Sequence, residues 1–186
     1  MSDEEVSQAS LLQMLIKPNR TLASWYIGLG LWGLLLAILN IMGQIHPNYR
    51  VSWGGLLTLE LTNAAFETTD EIKVVASDLL FIAMCAGVTW LGLQTMASEK
   101  TGIKGFFLSL VLNDLWNSLV STEDGGWMRT AAAWCLVIGF DFYIIWSILY
   151  QTWIDPGVYA VSAALIAFGF ALKTGSEAPE TTNLTE

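Results

Sequence analysis

LASWYIGLGLWGLLLAILNIMG, residues Leu22 to Gly43, contains no Asp, Glu, Lys, Arg or His. At about 1.5 Å of rise per helical residue, a stretch of this length crosses a hydrocarbon layer of roughly 30 Å. Three more apolar stretches follow, Val74–Ala97, Thr130–Trp153 and Val158–Leu172. The chain therefore reads as all-α, a polytopic integral membrane helix bundle with four transmembrane helices and short amphipathic interfacial helices. The bilayer, not water, is the solvent against which its polar residues are weighed.

The 186 residues, 54% of them hydrophobic, leave room for one membrane domain and no sizeable water-soluble one. The sequence divides into an N-terminal amphipathic cytoplasmic segment over 1–21, a membrane bundle over 22–173, and an acidic tail over 174–186 that is expected to be disordered. In the first segment, Ser2 and Glu5 have capping-box spacing, and Val6, Leu11, Leu12, Leu15 and Ile16 gather on one side of a short helix stopped at Pro18. The acidic start does not read as a cleaved signal peptide. Much of the formal charge of −9 sits at the two ends.

Lys104–Ser121, KGFFLSLVLNDLWNSLVS, is harder to place. At 100° per residue Val111, Leu112, Leu115, Trp116, Leu119 and Val120 fall on one arc, and Asn113, Asp114, Asn117, Ser118 and Ser121 on the other. Such a helix either lies in the interface or spans as a fifth transmembrane helix with its polar arc inward. Positive charge favours the first. With four spans, Lys17, Arg20, Lys100, Lys104, Arg129 and Lys173 fall on one side and only Arg50 and Lys73 on the other, which makes both termini cytoplasmic. A fifth span would divide the charges evenly. The long connection between the first two spans carries Leu57, Leu59 and Leu61 alternating with polar residues; a short amphipathic helix is expected there, because a lone strand would have no partner.

Asp141 is the strongest candidate for chemistry, since a carboxylate near the middle of a span needs protonation, hydrogen bonds from residues such as Tyr143 or Ser147, or a cation. Asp114, with Asn113 and Asn117, would join it only if 104–121 spans. Asp78, close to a helix start, reads as a structural acid stabilised by the helix dipole or reaching outward. Gly28, Gly30 and Gly33 form a smooth patch for helix packing. Asp155 and Pro156 suit the cap and first turn of the last helix.

Several function classes are disfavoured. Eight scattered Lys and Arg form no basic stripe for nucleic acid. His46, the single histidine, cannot supply a bis-histidine haem or a His-rich metal centre, so no metal site and no cofactor of the chain's own is expected. No Walker loop, CxxC or nucleophile motif is present, and Cys85 and Cys135 read as packing residues within spans. Bound lipid, or contact with a peripheral pigment or quinone, is compatible with the nine Trp. The expected function is a non-catalytic accessory or structural subunit of a larger membrane complex, of respiratory, photosynthetic or oxygenase type, in an inner, organellar or photosynthetic membrane, with the lipid bilayer and other membrane subunits as partners. The alternative is a small channel or ion- or proton-coupled transporter using Asp141 and Asp114.

Overall fold

A computed structural model describes residues 12–68, 74–113, 115–123 and 126–177. Its four longest helices are α1 (Arg20–Ile41), α3 (Ala76–Ser98), α5 (Gly126–Tyr150) and α6 (Pro156–Glu177), each long and apolar enough to cross a membrane. Between them lie β1 (Arg50–Val51), the five-residue helix α2 (Trp53–Leu57), β2 (Phe66–Glu67) and α4 (Gly102–Val111). By contact the chain sorts into two compact units, Met1–Leu110 and Val111–Glu186.

In the first unit α1 begins after Asn19, whose Oδ1 accepts from Leu22 N at 2.9 Å. Just before it, residues 12–16 are helical, and the Tyr26 hydroxyl donates to Leu15 O at 3.2 Å, tying this short helix to α1. The buried face of α1 carries Ala23, Ile27, Gly30, Gly33 and Ala37, a spacing of three or four that returns to the same side of a helix. Against it α3 runs antiparallel: a Cβ on Gly92 would sit 2.7 Å from Ala23 O, and one on Gly33 would sit 2.5 Å from Cys85 Sγ. Small residues on both faces let the two backbones approach closely, and that close approach packs this pair. Phe106 of α4 closes one end of the seam beside Ala23, Ile27 and Met96.

The connection from α1 to α3 is folded. Arg50 pairs with Glu67 and Val51 with Phe66 in an antiparallel register, and Ser52 N donates to Ala65 O at 2.8 Å. Ser52 also caps α2, and its hydroxyl accepts from Asn63 Nδ2. The expectation of a helix in place of a strand is thus only partly right: α2 is a helix, but it ends at Leu57, and a strand pair exists because each two-residue strand supplies the other's partner. Leu59 and Glu60 turn the chain back with φ of 51° and 64°, and Glu60 accepts from Ala65 N at 3.0 Å. Gly55 admits no side chain there, since a Cβ would lie 2.5 Å from the carbonyl oxygens of Asn63 and Ala64. Thr68-Thr69-Asp70-Glu71 has capping-box spacing, expected from the sequence to open the second span; Thr69 to Glu71 lie outside the described residues, and α3 starts at Ala76.

The single amphipathic helix expected over Lys104–Ser121 does not form. α4 covers ten residues, about 15 Å, half of what a hydrocarbon core requires, and the chain then breaks near Asn113, whose Oδ1 accepts from Leu115 N at 3.1 Å in a side-chain-capped turn. A separate 3₁₀ turn follows at Asn117–Leu119. Local Asn bonding competes with helix continuation here, so the clean wheel of the second half describes no helix face.

In the second unit α5 and α6 form a tight antiparallel hairpin. A Cβ on Gly139 would meet Ile166 Cγ1 at 2.9 Å, and one on Gly169 would meet Leu136 Cγ at 2.8 Å. The turn uses Gln151 at φ 54°; Asp155 Oδ1 then accepts from Gly157 N at 2.7 Å and Val158 N at 3.1 Å, capping α6 with Pro156 as its first residue. α6 continues to Glu177, with Lys173 Nζ 3.9 Å from Glu177 Oε1 one turn on, so residues 174–177 belong to the helix and not to a disordered tail.

Candidate functional site

Three polar features stand out, each within a single unit. The first joins the end of α1, β1 and the start of α3. Asp78, the third residue of α3, is fully buried. Its Oδ2 lies 2.7 Å from Arg50 Nη2 and accepts from Val75 N at 3.0 Å; its Oδ1 accepts from Asn40 Nδ2 at 3.1 Å. Asn40 also donates to Val51 O at 2.8 Å and accepts from Val51 N at 2.7 Å, so one amide side chain holds both backbone groups of a strand residue. Trp53 stacks on Phe81 at 3.9 Å beside this group and is almost wholly buried.

Each charge here is matched: the carboxylate receives a guanidinium, an amide and a helix-start N–H. The arrangement has no spare carboxylate lone pair directed at open space, so it fastens the connecting segment to both helices instead of presenting a ligand site. Asp78 therefore does not reach outward to water, as its position near a helix end allows; it turns in toward Arg50. Sequence reading missed Asn40 and Arg50. The available signal was a lone Asn in the last turn of an otherwise apolar helix, together with an Arg two residues from a Ser-capped turn.

The second feature lies between α5 and α6. The buried Tyr143 hydroxyl donates to Trp153 O at 2.5 Å and lies 3.3 Å from the Tyr159 hydroxyl, with the two rings stacked at 5.3 Å. Ser147 and Ser162 are buried beside this band. The antiparallel register set by Gly139 and Gly169 brings Ser162 level with Tyr143, and Ser147 level with Val158. Small hydroxyl side chains let the helices approach, and Tyr143 anchors the turn that joins them. Tyr143→Phe should remove the bond to Trp153 while keeping the ring. The expected loss is about 1 kcal/mol, read as a modest fall in midpoint by thermal unfolding in detergent.

Asp141 is the third. It is the sixteenth residue of the 25 in α5, close to the middle, and it is exposed. Positions 139, 143 and 147 face α6, so Asp141 points away from that seam and from Tyr143, two residues on and about 200° around the helix. Among the described residues it has no hydrogen-bond or ion-pair partner. Asn113 and Asn117 do not join it: Asn117 opens the 3₁₀ turn packed on α5, where Thr130 donates to Ser121 O, about 16 Å along the axis from Asp141. Asp114 lies outside the described residues. Of the three glycines, Gly30 and Gly33 meet α3 closely, whereas Gly28 faces open space and takes no part in packing.

Among the described residues, no group of three or more His, Cys, Asp and Glu is placed to hold a metal ion. His46 stacks on Tyr49 at 3.6 Å, and its Nδ1 accepts from Asn48 N at 3.1 Å, in the folded connection. Cys85 is buried at the α1–α3 seam against Gly33. What fold and polar groups define together is a class: a mostly helical chain of two helical hairpins, with four helices among the described residues long and apolar enough to span a membrane. No protein-family model, curated protein or solved structure matches it.

Proposed function

We propose that this chain is a non-catalytic accessory subunit of a larger integral membrane assembly, its four long helices spanning the bilayer. The observation that carries this reading is Asp141, a carboxylate near the middle of a long apolar helix, turned outward and without a partner of its own. Left against hydrocarbon, an ionised carboxylate costs at least about 2.5 kcal/mol on the most lenient scale, a cost that a polar or basic neighbour outside the α5–α6 hairpin would remove. Wide apolar faces accompany it: the long helices bury between 17% and 33% of their most apolar windows, and Trp90, Trp127 and Trp134 all project outward. Aromatic side chains of this kind favour protein contact.

In this reading both termini lie on the cytoplasmic side. Lys17, Arg20, Lys100, Lys104, Arg129 and Lys173 gather there, while Arg50, on the opposite side, is neutralised by Asp78. A transport path between α5 and α6 gains no support from Asp141, because the acid faces away from that seam.

Purification of the tagged chain from its native membrane in mild detergent tests the proposal. A different membrane protein should co-migrate in fixed stoichiometry. Recovery of the chain alone, with proton or cation flux in liposomes that Asp141→Asn abolishes, would overturn it in favour of a transporter.

A further inference from the structure

Asp141 does not stand alone on its face of α5. Trp134, Ile138, Asp141, Ile145 and Ile148 follow one another at intervals of four, three, four and three, and every one of them is exposed. That alternation is the spacing of a helix–helix packing stripe, in which a single polar member fixes register and partner choice. The α6-facing residues Gly139, Tyr143 and Ser147 lie on the other side of the helix, so the stripe is free within the hairpin. It is an apolar strip with one carboxyl group at mid-height.

We propose, resting on the accessory-subunit reading, that this stripe seats a transmembrane helix of a different protein that carries a basic side chain at the depth of Asp141. Charge complementarity selects this occupant over the chain's own helices. Within the four long helices, basic residues occur only near the ends, at Arg20, Arg129 and Lys173, and Arg129 is about 18 Å from Asp141 along α5. A second copy, docked by a two-fold axis along this stripe, would set Asp141 against Asp141, with no basic group to pair with either, so that the two could not both ionise without repulsion. A foreign Lys, Arg or His instead turns two costly groups into one neutral pair.

The test uses the complex isolated from native membranes, with Ile138 or Ile145 replaced by a photoreactive phenylalanine analogue. Cross-linked peptides should come from one span of a different chain with a Lys, Arg or His within a turn of the attachment point. Asp141→Asn, which keeps the size of an exposed side chain with no contact to lose in the hairpin, should lower recovery of that chain at least about tenfold, and Asp141→Glu should preserve it. Asp141→Lys should also abolish recovery, and exchanging the partner's basic residue for Asp should restore it. Cross-links to a second copy, to the chain's own helices, to lipid alone, or to a span without a basic residue would overturn the proposal. If a foreign chain still co-migrates in that case, the accessory reading survives and only the stripe is refuted; if the unsubstituted protein brings down no foreign chain, both fall.

Discussion

Asp78→Ala should destabilise the first hairpin by about 3–5 kcal/mol, the usual result of stranding one member of a buried ion pair. The reason is what remains behind. Arg50, itself almost fully buried, would keep its charge with no carboxylate, Asn40 would lose one acceptor, and the Val75 N–H at the helix start would lose its cap. Arg50→Ala should have a comparable effect from the other side, since it leaves the Asp78 carboxylate buried with only neutral donors. Replacing both together, Arg50→Met with Asp78→Leu, should cost much less than either single change, because no uncompensated charge is then left inside. Unfolding in detergent, followed by helicity against temperature or added denaturing surfactant, reads all three. Equal and additive losses in the single and double variants would show that the pair is not coupled.

Gly92→Val should open the α1–α3 seam. A Cβ at Gly92 would come within 2.7 Å of Ala23 O and 2.8 Å of Ile27 Cγ1, and backbone atoms cannot step aside as a flexible side-chain end can. Gly30 offers the reciprocal contact, against the Thr89 hydroxyl and, at 2.8 Å, Cys85 O. Either helix must move outward, which forfeits the dispersion contacts between the two closely packed helices. We expect a loss of about 2–3 kcal/mol for Gly92→Val or Gly30→Val. Gly28→Val, with open space around the glycine, should change stability by less than about 0.5 kcal/mol. Compared by thermal unfolding in one detergent, the three variants distinguish close packing from glycine content as such.

Gly28 shows why the small-residue patch could be read only in part from sequence. Gly28, Gly30 and Gly33 are near one another in the chain, but only Gly30 and Gly33 fall on the arc that also holds Ala23, Ile27 and Ala37. Which arc meets a partner depends on where α3 lies, and α1 is apolar all round, so no amphipathic signal marks the buried side. The same limit applies to Asp78. Its place close to a helix start was legible; that it falls in the first turn, and that Arg50, 28 residues earlier, would reach it, required the tertiary structure, with the β1–β2 pairing and the Asn40 bracket on Val51. Lys104–Ser121 failed differently. Its periodicity was real, but side-chain bonding by Asn113 breaks the chain before that periodicity can be used.

Length and apolarity alone settled that the described residues carry four long helices, with bounds no more than five residues from those observed, and cap chemistry settled that Asp155 and Pro156 open the last one. These are local properties: helix length against bilayer thickness and a cap within reach of its own N–H groups. Only the tertiary structure decided which side of each helix is covered, because the pairing of α1 with α3 and α5 with α6 rests on close approach over scattered small residues. That pairing turned Asp78 inward to a guanidinium and left Asp141 outward without one, a distinction between two acids in apolar helices that spacing along a single helix cannot supply.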